Sequence, residues 1–491
     1  MGLNRRSLVP PLAALLAAVH AAPSALAQPA PEGPSKPNEA AKDAEKANKK
    51  DSKDSKDSKP PPKPPANPRA RTPKPSEPKD YDGREEPTTA GDVLIWIPRV
   101  VFFPVYVVNE YLIRKPLGAV AVAAERGRWV QGLRDFFTWG PTNNIGIFPT
   151  ALIDFGLRSS VGAYFFYDDL GMKGNNLRIH GATGGYDWWR LTVADNVELD
   201  ERSFVQVRGE AWVRPDWAFF GIGPETVEAN RSRYLARSFE GSASFFGGIE
   251  APGAIDFYTT VKHIQFGEDT CCDDPTLHEK LKQGVFEAPA FFDTGYTAQR
   301  LGLKVALDSR RPRPAPGSGA RADLAIEHSF NLGDARSRWI RYGATATGFV
   351  DLTGHNRVVS LSVAALFADP LGDRDIPFTE LVSLGGNNAP MRGYLQDRLL
   401  GRSAAVATLE YRYPIYTFFD GSIQAAVGNV FGEHLAGFDP DLLRMSFTAG
   451  IRTVGDRDYS LDILVGSGTE TFKQGAGIHD VRFVFGATRG F

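Results

Sequence analysis

Residues 204–213 read FVQVRGEAWV, a stretch in which apolar and polar side chains alternate with a period of two. Valine and alanine occupy most of the odd positions, whereas glutamine, arginine, glutamate and tryptophan occupy most of the even ones. Such alternation is typical of a β-strand whose two faces meet different surroundings. Residues 403–413, 443–451 and 481–485 repeat the pattern, so the C-terminal part of the chain is predicted to be all-β.

Sixteen candidate strands are recognisable in residues 140–491. They begin near residues 145, 156, 175, 187, 202, 233, 254, 294, 321, 338, 357, 403, 418, 443, 459 and 480. A soluble sandwich has the same period, but this chain carries an export signal, lacks a long apolar helix and ends in an aromatic residue. The combination predicts an all-β membrane protein, a 16-stranded antiparallel transmembrane β-barrel, closed because lipid cannot satisfy open sheet edges. The two longest connections, 267–293 and 369–402, are predicted to face outward from the cell.

Two segments with different compositions are predicted to begin the chain. Residues 1–27 have the pattern of a signal peptide, because two arginines precede an apolar stretch and Ala25-Leu26-Ala27 supplies a cleavage site. Residues 28–80 contain no Leu, Ile, Val or aromatic residue and are rich in proline and charge, which predicts a disordered tether in the periplasm. Either the tether contacts peptidoglycan or periplasmic proteins, or it is a spacer without a specific partner.

Residues 81–139 are predicted to form a short helical segment next to the barrel. The apolar run 93–108 is interrupted by Pro98, Arg99 and Pro104, and it is shorter than the roughly 20 residues of a spanning helix. Two placements agree with this pattern. The segment lies at the membrane interface on the periplasmic side, or it plugs the barrel lumen.

Catalytic and metal-binding motifs are scarce in the chain. The formal net charge is −2, which argues against a nucleic-acid partner. Neither a nucleophile elbow nor a phosphate-binding loop nor a His-Glu-x-x-His motif occurs, so we predict no enzyme, no cofactor and no resident metal. Cys271-Cys272, near Asp273, Asp274 and His278, could ligate a metal or form a strained vicinal disulfide, or the pair could be an oxidised, purely structural loop element.

Five motifs within residues 140–491 occur in an order that resembles a known superfamily. They are Phe219-Phe220-Gly221-Ile222-Gly223, the turn bearing Asp308, Arg310, Pro316 and Gly319, Leu384-Gly385-Gly386 with Met391-Arg392-Gly393-Tyr394, Glu410-Tyr411-Arg412-Tyr413-Pro414, and Gly428-Asn429-Val430-Phe431. Together they resemble the bacterial surface antigen superfamily of outer-membrane barrel-assembly factors and two-partner-secretion transporters. Asp308, Arg310 and Gly319 resemble the periplasmic turn of this superfamily.

The resemblance implies that the 369–402 loop enters the lumen, where Arg392, Gly393 and Tyr394 form a lock with acidic residues. A guanidinium can pair bidentately with a carboxylate, and Gly393 permits close backbone approach. Strand parity directs Glu410 and Asp462 into the lumen, and we predict that one of them pairs with Arg392. The acidic partner usual in the superfamily is replaced here by Ala426. The alternative is an arginine on a solvated surface loop.

The resemblance leaves the molecular task of the barrel open. Phe491 matches the terminal aromatic assembly signal, although Arg489 replaces an expected hydrophobic residue, and the superfamily's periplasmic polypeptide-transport-associated domains are not recognisable. We expect a barrel in the outer membrane of a Gram-negative bacterium, in contact with lipid. It assists insertion or translocation of unfolded outer-membrane or secreted polypeptides, or of lipid. The alternatives are a passive channel or structural barrel without client handling, and a barrel hydrolase.

Overall fold

The computed structural model describes most of the C-terminal three quarters of the chain. Residues 135–489 are described except 249–252, 269–270, 312–314, 316, 417–418 and 454–458, together with single residues between 103 and 132. The predicted signal peptide (1–27), the tether (28–80) and most of the segment 81–139 lie outside the described residues, as do Pro316 and Phe491.

Sixteen long strands form one sheet. Their bounds are β1 Ile145–Asp154, β2 Ser160–Tyr167, β3 Asn175–Gly185, β4 Trp188–Asp200, β5 Ser203–Phe219, β6 Ser232–Gly248, β7 Gly253–Gly267, β8 Tyr296–Asp308, β9 Gly319–Asn331, β10 Arg338–Asp351, β11 Val358–Pro370, β12 Ser403–Tyr416, β13 Phe419–Phe431, β14 Arg444–Thr453, β15 Tyr459–Thr469 and β16 Ile478–Arg489. Each strand pairs antiparallel with its neighbour in sequence, and β16 pairs with β1, so the sheet closes into a barrel. The predicted 16-stranded barrel is therefore confirmed, with β2 beginning later than expected.

Short elements occupy the connections. Helix α1, Leu277–Lys282, begins with a capping box formed by Thr276 and Glu279. Two-residue strands lie at Thr138–Trp139, Val382–Ser383 and Leu400–Gly401, and 3₁₀ turns at Glu228–Asn230, Cys271–Asp273, Phe378–Glu380, Glu433–Leu435, Pro440–Leu442 and Phe472–Gln474. Within the described ranges, no helix combines the length and the apolar character needed to cross a membrane.

The alternation of side chains separates an apolar exterior from a polar lumen. On β11, Leu361 and Val363 are 55% and 56% exposed, whereas Ser360 is 8% exposed. Exposed leucine, isoleucine, valine and phenylalanine side chains recur on the outer face of the other strands. An apolar outer band around a polar interior is the arrangement of outer-membrane-type barrels.

The two longest described connections, 268–295 and 371–402, leave the same end of the barrel, because each joins an odd-numbered strand to the next even-numbered one. The second connection is not a solvated surface loop. Leu384, Met391, Tyr394 and Leu399 in it are fully buried and belong to the main apolar cluster of the molecule. The 371–402 connection, called the inner loop below, therefore packs inside the barrel wall.

Candidate functional site

Among the described residues, the seam where β16 meets β1 is much shorter than the other pairings between long strands. Its register contains three pairs, Asp154 with Val484, Ile153 with Phe485 and Leu152 with Gly486, followed by a bond from the Phe155 amide to the Phe483 carbonyl at 2.9 Å. Strand β16 continues along β15 to Arg489. Its pairing with β1 nevertheless stops at Gly486.

Pro149 lies on the seam edge of β1. Because the Phe155 amide points to β16, the backbone groups of every second residue before it, including Ile153 and Pro149, point to the same edge. Proline has no N–H, so it cannot donate the hydrogen bond that a longer ladder would need at position 149. The sequence of β1 itself thus limits how far β16 can pair.

The chain before β1 covers the other end of the same edge. Thr138–Trp139 pairs with Gly146 and Ile145, while the opposite edge of these residues is taken by β2. Among the described residues, Ile147, Pro149 and Ala151, whose backbone groups point to the seam, have no register pair there. In the described part of the chain, β1 therefore has a short gap in the pairing of its seam edge.

Gly393 and Tyr394 attach the inner loop to the wall beside the seam. The Gly393 amide donates to Ser446 Oγ at 2.9 Å, and a Cβ on Gly393 would clash with the carbonyl oxygen of Ser467. The buried Tyr394 hydroxyl lies 2.8 Å from the Met445 carbonyl oxygen and 2.6 Å from that of Thr469. The loop thus contacts β14 and β15 at close range.

Arg392 is placed with Glu410 and Asp462 but pairs with neither. The three residues line a cavity of about 280 Å³, where Arg392 Nε donates to the Asn387 carbonyl at 3.1 Å. Asp462 pairs with Arg452, its partner in the β14–β15 register, at 2.7 Å, and Glu410 pairs with Arg412 on the same strand face at 3.3 Å. The expectation that either acid pairs with Arg392 is wrong for this geometry, because arginines already aligned on the wall occupy both.

The electrostatic surroundings of Arg392 agree with that geometry. Burial and the nearby Arg452 lower the pKa of Arg392 to about 10, although Asp462 and Glu410 attract the charged guanidinium. Arg392 remains a half-buried cation next to acids that are engaged elsewhere. Ala426, at the position where the superfamily usually has an acid, is also buried and supplies no charge.

Arg482 is the functional residue that the sequence did not reveal. It lies on β16 and pairs with Asp154, the last residue of β1, with Nε 2.8 Å from Oδ1. Its Nη1 donates to the carbonyl oxygens of Arg392 at 3.0 Å and Tyr394 at 3.2 Å. Alternation places Arg482 in the lumen, but no local pattern connects it with a carboxylate 328 residues away.

Glu380 anchors the inner loop to the wall on the other side. Its buried carboxylate lies 2.8 Å from Lys262 Nζ and 2.8 Å from Arg300 Nη2, 3.4 Å from Arg341 Nη1, and it accepts a hydrogen bond from the Tyr296 hydroxyl. Burial opposes ionisation, but the three cations outweigh it and hold the pKa of Glu380 well below its usual value. The inner loop therefore bridges β7–β10 and the seam.

The residues of the predicted family turn are also brought together. Arg310 Nε lies 2.8 Å from Asp308 Oδ1, and its guanidinium stacks 3.9 Å from the centre of the Phe349 ring. Gly319 has φ +154°, and a Cβ there would press on the Arg310 side chain. The turn connecting β8 and β9 thus folds against the lumen side of β10 at the end opposite the inner loop's connections.

Two other clusters were considered as ligand sites. Cys271 and Cys272 form a disulfide bond, so the vicinal-disulfide alternative describes this pair. Asp369, Glu433 and His434 could together reach one metal ion, but Arg402 already pairs with Asp369 at 3.3 Å and with Glu433 at 3.4 Å. The arginine supplies the positive charge that an ion would bring.

A closed barrel of sixteen strands, with an apolar exterior and a loop packed in a polar lumen, defines an outer-membrane-type transmembrane β-barrel. Residues 281–453 match the Omp85 superfamily domain. The C-terminal region therefore contains an Omp85 superfamily domain, in agreement with the predicted superfamily.

Solved structures with similar folds are known. BamA from Haemophilus ducreyi lacking POTRA domains 1–3 is 13% identical, with a TM-score of 0.48 and 70% of each chain covered. CdiB from Acinetobacter baumannii (11% identity, TM-score 0.44) and CdiB from Escherichia coli (13%, 0.44) cover 70% of this chain, which spans 59% and 62% of theirs. The chain thus spans less than two thirds of either CdiB. No curated protein sequence matches it.

Proposed function

We propose that this barrel assists insertion or translocation of polypeptide at the bacterial outer membrane by offering the open edge of β1 to an extended strand. The observation that carries the proposal is that, among the residues the structure describes, Ile147, Pro149 and Ala151 have no register pair on the seam edge. Unpaired N–H and C=O groups on a sheet edge are a template for a further strand. They are costly beside lipid, so an incoming strand that pairs with them is stabilised there.

The client class follows from what the edge recognises. Main-chain groups pair with any extended backbone, so unfolded outer-membrane or secreted polypeptides are the proposed partners. A lipid client has no row of amide groups to offer, and the seam edge favours polypeptide over it. The Omp85 superfamily domain supports a role in protein transport and assembly, which requires no catalytic chemistry.

We propose that the other segments of the chain serve in export, in anchoring and in assembly of the barrel. Residues 1–27 direct export and 28–80 form a periplasmic tether that reaches peptidoglycan or periplasmic proteins. Residues 81–139 form a helical segment at the membrane interface or in the lumen. Phe491 is proposed to act as the barrel's own assembly signal, and 140–491 to span the outer membrane in contact with its lipid.

The test is the rate at which a chemically unfolded outer-membrane protein inserts into liposomes that contain this barrel. Cysteines at Ile153 and Phe485, which face each other across the seam, are joined by a short thiol-specific reagent in a Cys271→Ser, Cys272→Ser background. The matched control joins cysteines at Val207 and Ala243, which face each other across β5 and β6.

We expect the barrel to accelerate insertion, seam cross-linking to abolish the acceleration and control cross-linking to leave it unchanged. Insertion no faster than into empty liposomes, from a folded barrel, would favour the passive channel or structural barrel. Equal insertion with and without the seam cross-link would place client handling elsewhere on the molecule.

A further inference from the structure

We propose that the buried ion pair of Asp154 with Arg482 is a latch that couples the inner loop to the seam, so that the seam opens only when the loop is displaced. This inference deepens the proposed function, since it concerns regulation of the same seam. It rests on the proposed function for its consequence in client handling. The latch itself is a property of the barrel alone.

The ion pair joins β16 to β1, the two neighbouring long strands that have the fewest described backbone pairs. Asp154 ends β1 and Arg482 lies on β16, and their side chains are 6% and 3% exposed. In the described part of both strands, three register pairs join them. Separating the strands would leave two buried charges without partners, which is strongly unfavourable. The side-chain pair therefore adds resistance to opening where the hydrogen-bond ladder is short.

The same guanidinium also holds the inner loop. Nε and Nη2 of Arg482 donate to Asp154, while Nη1 donates to the carbonyl oxygens of Arg392 and Tyr394. The two carbonyls keep Arg482 satisfied in a position where it can also reach Asp154. If the loop leaves, Nη1 loses both acceptors and the guanidinium is no longer held toward Asp154.

The loop is in turn fixed to strands beside the seam. The Tyr394 hydroxyl contacts main-chain oxygens of β14 and β15, and the Gly393 amide is bound by Ser446. Between these attachments lie the two carbonyls that Arg482 binds. A rearrangement of residues 392–394 consequently moves the carbonyl oxygens that Arg482 binds, even if the rest of the loop stays in place.

Amide hydrogen exchange of the full mature chain in lipid nanodiscs tests the latch without any client. Asp154→Asn removes the ion pair, and Tyr394→Phe removes only the hydroxyl that fixes the loop. Asp187→Asn is the matched control, because Asp187 lies in the turn between β3 and β4 and pairs at 2.7 Å with Arg158 of the β1–β2 turn rather than with β16. Heat-dependent gel mobility identifies folded barrels.

In Asp154→Asn we expect exchange around Phe155 and in β16 to accelerate by more than about 100-fold, with β5 and β6 unchanged. Tyr394→Phe is expected to accelerate seam exchange in the same region by about 5- to 10-fold, since it removes the hydrogen bonds of one hydroxyl group. Asp187→Asn should leave the seam at the wild-type rate. Unchanged seam exchange in folded Asp154→Asn would overturn the latch, and unchanged seam exchange in Tyr394→Phe would overturn its coupling to the loop.

A charge-reversed pair keeps the inference testable if Asp154→Asn does not fold. In Asp154→Arg with Arg482→Asp, the ion pair is re-formed but position 482 can no longer donate to the loop carbonyls. Seam protection above that of Asp154→Arg alone, with the inner loop open to protease, is the expected result. Failure to regain seam protection would overturn the latch. A seam that responds to these variants in a barrel that does not accelerate insertion would retain the latch and reject the proposed client function.

Discussion

The seam between β16 and β1 and the wall formed by β5 and β6 are both antiparallel pairs, yet different forces hold them. In the wall the register runs from Ser203 with Gly247 to Phe219 with Ser232. In the seam the described register contains three pairs. A buried ion pair and a contact with the inner loop add to them. A closed barrel can therefore contain one junction whose strength depends on a few side chains.

The largest effect is expected from Arg482→Met, which leaves Asp154 buried and unpaired at the seam. The free energy of unfolding should fall by about 3–5 kcal/mol, measured by urea titration of the barrel in detergent. Arg158→Met removes a more exposed pair with Asp187 and should cost about 1 kcal/mol or less. Equal losses of unfolding free energy in the two variants would mean that the seam ion pair contributes no more to stability than the Arg158–Asp187 pair.

Glu380→Gln tests the attachment of the inner loop to the opposite wall. The variant leaves three cations around a neutral amide and should destabilise the loop by about 2–4 kcal/mol. The lowered pKa of Glu380 contributes stability above its ordinary value of 4.5, and this stability is lost as pH falls from 4.5 through the lower folded pKa. Protease resistance of the loop, followed by pulse digestion after incubation at each pH, should therefore decline on acidification in the wild type. That decline should be weaker in Glu380→Gln, and identical pH profiles would contradict the assignment.

Gly393→Ala should detach the loop while leaving the wall intact. The added methyl group would clash with the Ser467 carbonyl oxygen, which costs about 1–3 kcal/mol of local stability. We expect faster proteolysis of the inner loop and faster exchange at the seam, with β5 and β6 unaffected. Gly348→Ala on β10, where a Cβ meets no atom within 4 Å, is the control and should behave as the wild type.

The smallest effect is expected from Pro149→Val, which gives the seam edge of β1 a backbone N–H at position 149, as the strands of the wall have. Restoring an N–H on the seam edge of β1 permits one more ladder hydrogen bond, worth about 0.5–1.5 kcal/mol. Seam exchange should slow and client insertion should slow with it. Faster insertion in this variant would contradict the role of the open edge.

Sequence reasoning identified the fold because its signals are local. Alternation in each strand depends on neighbouring residues, so fifteen of the sixteen strand starts needed little adjustment, and the start near 156 moved to Ser160. Gly393 and Tyr394 contact the wall at close range, but their role in a lock stays a prediction. The partner of Arg392 could not be predicted, because Arg452 and Arg412 compete for the same acids.

The sequence alone determined the period of the strands and the apolar and polar faces of the barrel. Only the tertiary structure decided which charges meet in the lumen. Asp154 and Arg482 are 328 residues apart and become neighbours solely because the sheet closes. A closed barrel brings its first and last strands together, and neither strand carries a local pattern that specifies the charge on the other.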